Sequence, residues 1–490
     1  MEEATAKPAK PRALALDALR GIAILAMCLS GIVPFHHHTL PAWMYHAQKP
    51  PPSHAFLPTL AGYTWVDLVF PAFLFAMGAA FPLALASRLK RGVPMWKIVT
   101  GIFGRGIALA AFAIYIQNLT PYHMNSSPDT MTWITAMLGF ALLFPVYTRF
   151  PDSWPRDVQW SIRLVGVLLA FVLMDSIVFA RGGGWTVQRF DIIIMVLANM
   201  AVFGALYWLV TRGSLLSRVA GLGIVYAALE ANKVSGSWVN VWLAPHIRLG
   251  GWRVEFGWLY NFAWLKYLFI VVPGSIAGDQ LLAWMQARRG ETDGKSALSW
   301  SRARLWFLSA VLFGVVVFLH IGLQARWNVL TPVVSLGACG VLLAITRGAS
   351  TPTERFLRQL LGWGTFWLVV GLLFEPTEGG IKKDPSNMSY YFVSSALSAF
   401  LLLCFTVWID LFGFRRTFGM LVANGQNPMI AYAGIRNLLA PVMALTGIEG
   451  WAVEHVFRTA WPRAAWAAIK TGALACVVAL FTRMKVFWRT

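Results

Sequence analysis

The stretch GYTWVDLVFPAFLFAMGAAFPLAL, from Gly62 to Leu85, is long and apolar enough to cross a lipid bilayer. Its one charged residue, Asp67, stands near its start. Similar apolar runs recur along the chain of 490 residues, which is 58% hydrophobic and only 13% charged. The sequence therefore predicts an all-α protein, a polytopic bundle of transmembrane helices that forms a single integral membrane domain over residues 1–490.

Hydropathy predicts about 10 to 14 spans, each near the length that the hydrocarbon core requires. The candidate spans cover residues 13–33, 63–87, 98–118, 130–148, 160–180, 190–211, 215–232, 258–286, 303–323, 328–346, 356–374, 390–411, 418–445 and 464–484.

The basic residues predict the orientation of the bundle. If the N-terminus is cytoplasmic and the spans alternate, 25 of the 41 basic residues fall on cytoplasmic segments and 11 on external ones. Such a bias is typical of membrane proteins and accounts for the net charge of +20 without a nucleic-acid partner. Both termini are then cytoplasmic, residues 1–12 form a cytoplasmic tail, and residues 34–62 form an external loop. We expect an integral protein of a bacterial cytoplasmic (inner) membrane.

The external loop is rich in histidine. It contains His46, His54 and the run His36–His38, and it leads directly to Asp67. An imidazole titrates near neutral pH, so His46 or His54 suits a general base, with Asp67 as the carboxylate that orients it. Three successive histidines do not share one face of a helix, and we expect no metal site there.

Three charged residues lie within the cytoplasmic ends of the first and third spans. Asp17 and Arg20 are three residues apart on a helix and close enough to form an ion pair. Arg105 lies between two glycines, which allow a ligand or a helix to approach. Besides a structural ion pair, these residues are consistent with an anion site, since arginine binds phosphates well.

Two further polar positions lie inside apolar runs. Asp279 follows Gly274 and Gly278, whose spacing is typical of close helix packing. Asn427 precedes Pro428, which interrupts helical hydrogen bonding. A buried amide beside such a break either lines a cavity or forms a hydrogen bond between helices.

Several segments resemble one known family in the same order along the chain. They are LDALRGIAI (16–24), the stretch quoted above, GGIKKDPSNMSYYFVSSALSAFLLLCFTVWID (379–410), NGQNPMIAYAGIRNLL (424–439) and TRMKVFWRT (482–490). The sequence is similar in these blocks to the heparan-alpha-glucosaminide N-acetyltransferase family and its bacterial relatives. The resemblance implies an enzyme that takes an acetyl group from cytosolic acetyl-CoA and delivers it to an amino sugar on the far side of the membrane. It also implies a catalytic histidine in the loop before the DLVFP block, where this chain offers His46 and His54.

The main hypothesis is thus a transmembrane acyltransferase with acetyl-CoA as co-substrate and no metal. Its donor site would use Arg20, Arg105, Asp17, Asp279 and Asn427, and His54 or His46 with Asp67 would activate a glycan or amino-sugar acceptor. Direct transfer and an acetyl-histidine intermediate both remain open, as does assembly into a homo-oligomer. The alternatives are a transporter or flippase for a glycan or lipid precursor, and a sensor or scaffold without catalysis.

Overall fold

Helices make up nearly all the regular structure of the protein. The computed structural model describes residues 12–35, 40–180, 182–243, 246–249, 252–290 and 298–490. The helices are, in chain order, α1 Leu14–Ser30, α2 Trp65–Lys90, α3 Met95–Asn118, α4 Pro121–Met124, α5 Thr130–Tyr147, α6 Arg156–Asp175, α7 Ile192–Thr211, α8 Leu215–Lys233, α9 Trp238–Trp242, α10 Leu268–Gly290, α11 Arg302–Gln324, α12 Leu330–Ile345, α13 Pro352–Thr377, α14 Met388–Phe405, α15 Gly419–Gln426, α16 Pro428–Gly434, α17 Ala440–Leu445, α18 Ile448–Trp451 and α19 Ala460–Arg483.

Short irregular helices and one hairpin complete the fold. The strands β1 (His246–Leu249) and β2 (Trp252–Glu255) pair antiparallel. Two 3₁₀ turns and three π-helical turns connect or extend the α-helices, at Ala42–Met44, Phe262–Tyr267, Thr406–Leu411, Ile435–Leu439 and Ala452–Val456.

The polytopic bundle predicted from the sequence is confirmed. In the described part of the chain, 11 helical segments are long and apolar enough to cross a membrane. The other three predicted spans are helical as well. Two of them are shorter, α1 with 17 residues and α12 with 16, and the third, α8, carries Arg218, Glu230 and Lys233.

The helix α2 is held at the centre of the bundle by close contact with α10. A Cβ atom added to Gly274 would lie 2.1 Å from the carbonyl oxygen of Phe75, and one added to Gly278 would lie 2.3 Å from that of Ala79. Only glycine allows the two backbones to approach so closely. The packing role predicted for Gly274 and Gly278 is therefore confirmed, and the contact fixes the depth of α2 and of Asp67 at its start.

The last predicted span but one, residues 418–445, is not a continuous α-helix. It breaks at Asn427, where α15 ends and Pro428 begins α16, and it widens to a π-helical turn at Ile435–Leu439. Proline cannot donate the backbone hydrogen bond that a continuous helix would need there. Beyond the break, Pro428, Met429 and Tyr432 of α16 line a cavity.

The helix ends lie on two sides of the bundle, as alternating spans require. On one side Arg12, before α1, donates to Gln426 at the end of α15 over 3.0 Å. On the other side Asp384, before α14, donates its N–H to Gln48 in the loop between α1 and α2 over 2.7 Å. We call these the inner and the outer side. That the inner side faces the cytoplasm stays a prediction from the charges.

Candidate active site

Asp67 is buried at the outer end of α2, where its carboxylate organises the loop before the helix. Oδ2 accepts the backbone N–H of Thr64 at 3.0 Å, which caps α2, and the N–H of Ala47 at 3.2 Å. The hydroxyl of Tyr390, on α14, donates to the backbone oxygen of Asp67 at 3.1 Å. These bonds occupy Oδ2 and hold the carboxylate so that Oδ1 faces two other side chains, described next.

The first of these side chains is His46, whose Nδ1 lies 3.3 Å from Oδ1 of Asp67. Nδ1 also accepts the backbone N–H of Gln48 at 3.0 Å. With that bond in place the neutral ring carries its proton on Nε2, and Oδ1 of Asp67 has no hydrogen-bond donor. A general base at Nε2 needs the other tautomer, in which Nδ1 gives up the Gln48 bond and donates its proton to Asp67. In the described part of the chain Nε2 forms no hydrogen bond, so it remains for a substrate.

The environment of His46 keeps the imidazole neutral. Burial lowers its pKa to about 4, although the charge of Asp67 raises it, and the ammonium of Lys383 lowers it further. At neutral pH the imidazole is therefore able to accept a proton.

The second side chain is Lys383, whose Nζ lies 3.7 Å from Oδ1 of Asp67. Gln48, which is fully buried, anchors the loop that carries it, because its side chain bonds both the carbonyl and the N–H of Asp384. From the sequence alone, Lys383 belongs to a charged external loop of no evident role. Only its place within the segment 379–410, which resembles the same family as the Asp67 segment, could have linked the two.

His54 lies in the same loop, but the structure does not bring it to Asp67. Its ring packs edge-on against Tyr45 at 4.5 Å and Phe35 at 5.4 Å, and its Nδ1 is 3.3 Å from the carbonyl of Lys49. Of the two histidines that the sequence offers as partners of Asp67, the structure therefore brings His46 to the carboxylate and not His54. The reason is local: the N–H of the next residue, Ala47, binds the same carboxylate.

The sequence predicts no metal site at the histidine run His36–His38. This run lies outside the described residues. Within the described ranges, no group of three or more His, Cys, Asp or Glu side chains is placed to hold a metal ion.

A cavity of about 300 Å³ opens among α1, α2, α3, α7 and the α15–α16 break. Its inner end is lined by Arg20 and Arg105, both predicted from the sequence, and by Arg489, which was not. Towards the outer side the walls are mainly apolar, formed by Ile24, Met27, Phe73, Met77, Leu109 and Leu197. A charged end and an apolar arm suit a ligand that combines phosphates with an uncharged chain.

The inner end of the cavity carries excess positive charge. Arg20 is 3.2 Å from the carboxylate of Asp17, which also accepts from Gln426 at 3.4 Å. Arg105 has no carboxylate within ion-pair distance among the described residues. Burial and the nearby charges of Arg12 and Arg20 lower the pKa of Arg489. The predicted ion pair of Asp17 with Arg20 thus exists, and the arginines around it still outnumber the acids.

Arg489 reaches the cavity because the last residues are fastened to the bundle. Asn427 binds this tail with its side chain, donating to the carbonyl of Val486 at 2.8 Å and accepting from the N–H of Trp488 at 3.3 Å. The N–H of Arg489 donates to the carbonyl of Tyr147 at 2.7 Å. Asn427 is therefore an anchor between segments, one of its two predicted roles, and does not line the cavity.

Asp279 also lies away from the cavity wall. It forms an ion pair with the buried Arg218 of α8 and accepts a hydrogen bond from Trp208 of α7 at 3.2 Å. An acid inside an apolar helix needs such partners, because an unpaired charge in lipid is costly. Asp279 therefore joins α7, α8 and α10, and sequence reasoning missed Arg218 as its partner.

Comparison with known proteins assigns the chain to a family whose function is unknown. A comparison with curated proteins finds no match. The family model described as a domain of unknown function, DUF5009, matches residues 12–281, which include His46, Asp67, Arg20 and Arg105. Because this match covers more than half of the 490 residues, the protein belongs to the DUF5009 family.

Proposed function

We propose that the protein is a transmembrane acyltransferase of a bacterial cytoplasmic membrane. It would take an acetyl group from acetyl-CoA on the inner side and transfer it to an amino sugar or another glycan on the outer side. The observation that carries this proposal is the pairing of two sites across the bundle. Three arginines line a cavity on the inner side, and the half-buried His46 lies beside the buried Asp67 on the outer side.

The arginine-lined cavity supports acetyl-CoA as the donor. Guanidinium groups bind phosphate oxygens through paired hydrogen bonds, and Arg20, Arg105 and Arg489 offer three such groups at one end. The uncharged arm of the donor would then extend between apolar walls towards the outer side, carrying the thioester with it.

The chemistry of transfer follows from the neutral imidazole. His46 would take the proton of the acceptor's amine or hydroxyl as that group attacks the thioester carbonyl, and Asp67 would stabilise the imidazolium. The new bond forms between the acceptor and the acyl carbon, the carbon–sulfur bond breaks, and the proton passes to the leaving thiolate. An acetyl-histidine intermediate would use the same residues in two steps.

The proposal requires the acyl group to travel beyond the cavity. Phe73, which lines its outer part, is six residues from Asp67 along α2, or about 9 Å. We therefore expect the thioester or the acceptor to pass between α1 and α2 during transfer.

Binding of acetyl-CoA to the purified protein in detergent or nanodiscs tests the donor site. Each guanidinium–phosphate contact contributes about 1.5–3 kcal/mol, so Arg105→Gln or Arg489→Gln should weaken binding about 10- to 100-fold. Arg163→Gln, on the same side but outside the cavity, is the matched control. If the wild-type protein does not bind acetyl-CoA, the acyltransferase proposal is wrong and the transporter alternative gains.

Release of CoA tests the catalytic side. Proteoliposomes supplied with acetyl-CoA on the inner side and a panel of amino sugars on the outer side should release CoA. His46→Ala should abolish the release, whereas His54→Ala should retain most of it. Equal losses in both variants would contradict the role of His46.

A further inference from the structure

The apolar arm of the cavity contains one polar side chain near its outer end, Tyr432 of α16. Its hydroxyl lies 2.9 Å from both carboxylate oxygens of Asp191. Neither residue stands out in the sequence, and neither takes part in the proposed transfer chemistry.

Asp191 is held in place by hydrogen bonds with α3, α7 and α16. Its Oδ1 accepts the N–H of Ile194 at 3.1 Å and caps α7, while its own N–H donates to the carbonyl of Ala113 at 3.0 Å. Arg436 lies 3.9 Å from Oδ2, and only 6% of the aspartate is exposed. Because its oxygens are occupied, Asp191 can act on a ligand only through the hydroxyl of Tyr432.

This arrangement makes the phenol oxygen an acceptor. The single hydroxyl proton points to the carboxylate, so the lone pairs of the oxygen are left for another donor. A hydrogen bond donated to a carboxylate increases the electron density on the donating oxygen and strengthens it as an acceptor. Tyr432 is therefore prepared to bind an N–H or O–H group within an otherwise apolar space.

The Tyr432 hydroxyl lies at a depth that the uncharged chain of acetyl-CoA, the proposed acyl donor, would reach. Asp191 is bonded to Ala113, which is eight residues beyond Arg105 on α3, or about 12 Å along the helix. A ligand whose phosphates lie at Arg20 and Arg105 would thus place at Tyr432 the part of its chain between the phosphates and the thioester. In acetyl-CoA that part carries amide groups.

We propose that the phenol oxygen of Tyr432, held by Asp191, binds an amide N–H of the acyl-CoA arm and so selects donors with an amide-bearing arm. This inference rests on the proposed function, because it assigns a second binding contact to the same donor. Tyr432 is a binding residue here, and Asp191 positions it.

The experiment compares two ligands in the full-length protein. Acetyl-CoA carries the arm, whereas adenosine 3′,5′-bisphosphate carries phosphates and no arm. Tyr432→Phe should weaken the binding of acetyl-CoA about 3- to 10-fold, the range expected for one neutral hydrogen bond, and leave the bisphosphate unchanged. Asp191→Asn should shift the ratio of the two affinities in the same direction by less.

Tyr115→Phe is the matched control, because Tyr115 donates to the carbonyl of Gly139 at 3.1 Å and lies outside this cavity. A structural effect of Tyr432→Phe would weaken both ligands in proportion, and that result would overturn the inference. Unchanged acetyl-CoA binding in Tyr432→Phe would also overturn it and leave the acyltransferase proposal standing. Failure of the wild-type protein to bind either ligand would instead reject the donor site itself.

Discussion

At the scale of single residues, the choice between two histidines depends on one backbone contact. Ala47 donates its N–H to Oδ2 of Asp67, and this contact carries the preceding His46 to Oδ1. By sequence distance His54 would be the expected partner, since it stands closer to Asp67 along the chain, yet its ring packs among aromatic side chains. Proximity in sequence is therefore a poor guide to the partner of this carboxylate.

The depressed pKa of His46 predicts how the proposed transfer depends on pH. With a pKa of about 4, the imidazole stays neutral at pH values where an ordinary histidine, with a pKa near 6.5, would be protonated. We expect the rate of CoA release to remain nearly constant from pH 8 to about 5.5 and to fall only as the pH approaches 4. A loss of rate centred near pH 6.5 would show that His46 is not the base, or that it is exposed in the working protein.

The same group affects stability with a defined sign. Because the folded-state pKa lies below the unfolded one, the unfolded chain binds the proton first as the pH falls. The contribution of His46 to the free energy of unfolding is complete above about pH 6.5 and is lost as the pH falls towards 4. Denaturation of His46→Gln and wild type between pH 7 and 5 should show a smaller pH dependence in the variant.

Lys383 offers a test of the charges around His46. Its ammonium lowers the pKa of the imidazole, so Lys383→Met should raise that pKa and move the acidic decline of the rate to higher pH. Lys382→Met is the control, because Lys382 is the neighbouring cation and has no direct bond to Asp67 or His46. A profile that shifts equally in both variants would indicate a general effect of surface charge.

At the scale of elements, the break between α15 and α16 links the fold to the proposed donor site. Asn427, at the break, holds the tail that brings Arg489 to the cavity. We expect Asn427→Ala to weaken acetyl-CoA binding although its side chain does not line the cavity. The free energy of unfolding should fall by about 1–3 kcal/mol, because buried partners lose their bonds.

Asn424→Ala provides the comparison for this variant. Asn424 is equally buried and donates to the carbonyls of Met420 and Ala475, but it does not hold the tail. It should lose similar stability and keep the affinity for acetyl-CoA. Equal affinity losses in the two variants would mean that the tail is not the cause.

Two glycine substitutions should change the stability of the protein in opposite directions, because only Gly274 lies in the contact between α2 and α10. Gly274→Ala would place its methyl group 2.1 Å from a backbone oxygen of α2 and should destabilise the protein by about 1–3 kcal/mol or more. Gly314→Ala, in α11, meets no atom within 4 Å and should stabilise its helix, by at most about 1 kcal/mol. Thermal unfolding in a single detergent measures both, and a tolerated Gly274→Ala would contradict the close packing.

The elements were largely predictable from the sequence, whereas most side-chain contacts between distant elements were not. Lipid demands about 20 apolar residues per span, and this local requirement placed helices at all fourteen predicted positions. The helix break at Pro428 and the packing of Gly274 and Gly278 also follow from local chemistry. The pairing of Asp279 with Arg218, 61 residues away, depends on how the helices assemble, and no local pattern reveals it.

At the scale of the whole molecule, the two candidate sites lie on opposite sides of one bundle. Arg20 stands near the start of α1, and Asp67 near the start of the antiparallel α2, so one helical hairpin connects them. The glycine contacts with α10 hold α2, and the contact of Gly425 with the backbone of Asp17 holds α1. The proposed reaction across the membrane would need such a rigid frame, since the donor and the acceptor would have to meet between two helices that stay at the same depth.

The sidedness of this frame can be measured directly. In a variant without the four native cysteines, Ser53→Cys would place a thiol in the exposed outer loop, and Asp152→Cys would place one in the loop between α5 and α6 on the inner side. A membrane-impermeant maleimide added to intact cells should label residue 53 at once, because the excess of basic residues predicts that the inner side faces the cytoplasm. Residue 152, whose side chain is 92% exposed, should react only after the membrane is permeabilised. Labelling in the reverse order would place His46 and Asp67 in the cytoplasm with the acetyl-CoA pool. That result would contradict the proposed transfer across the membrane.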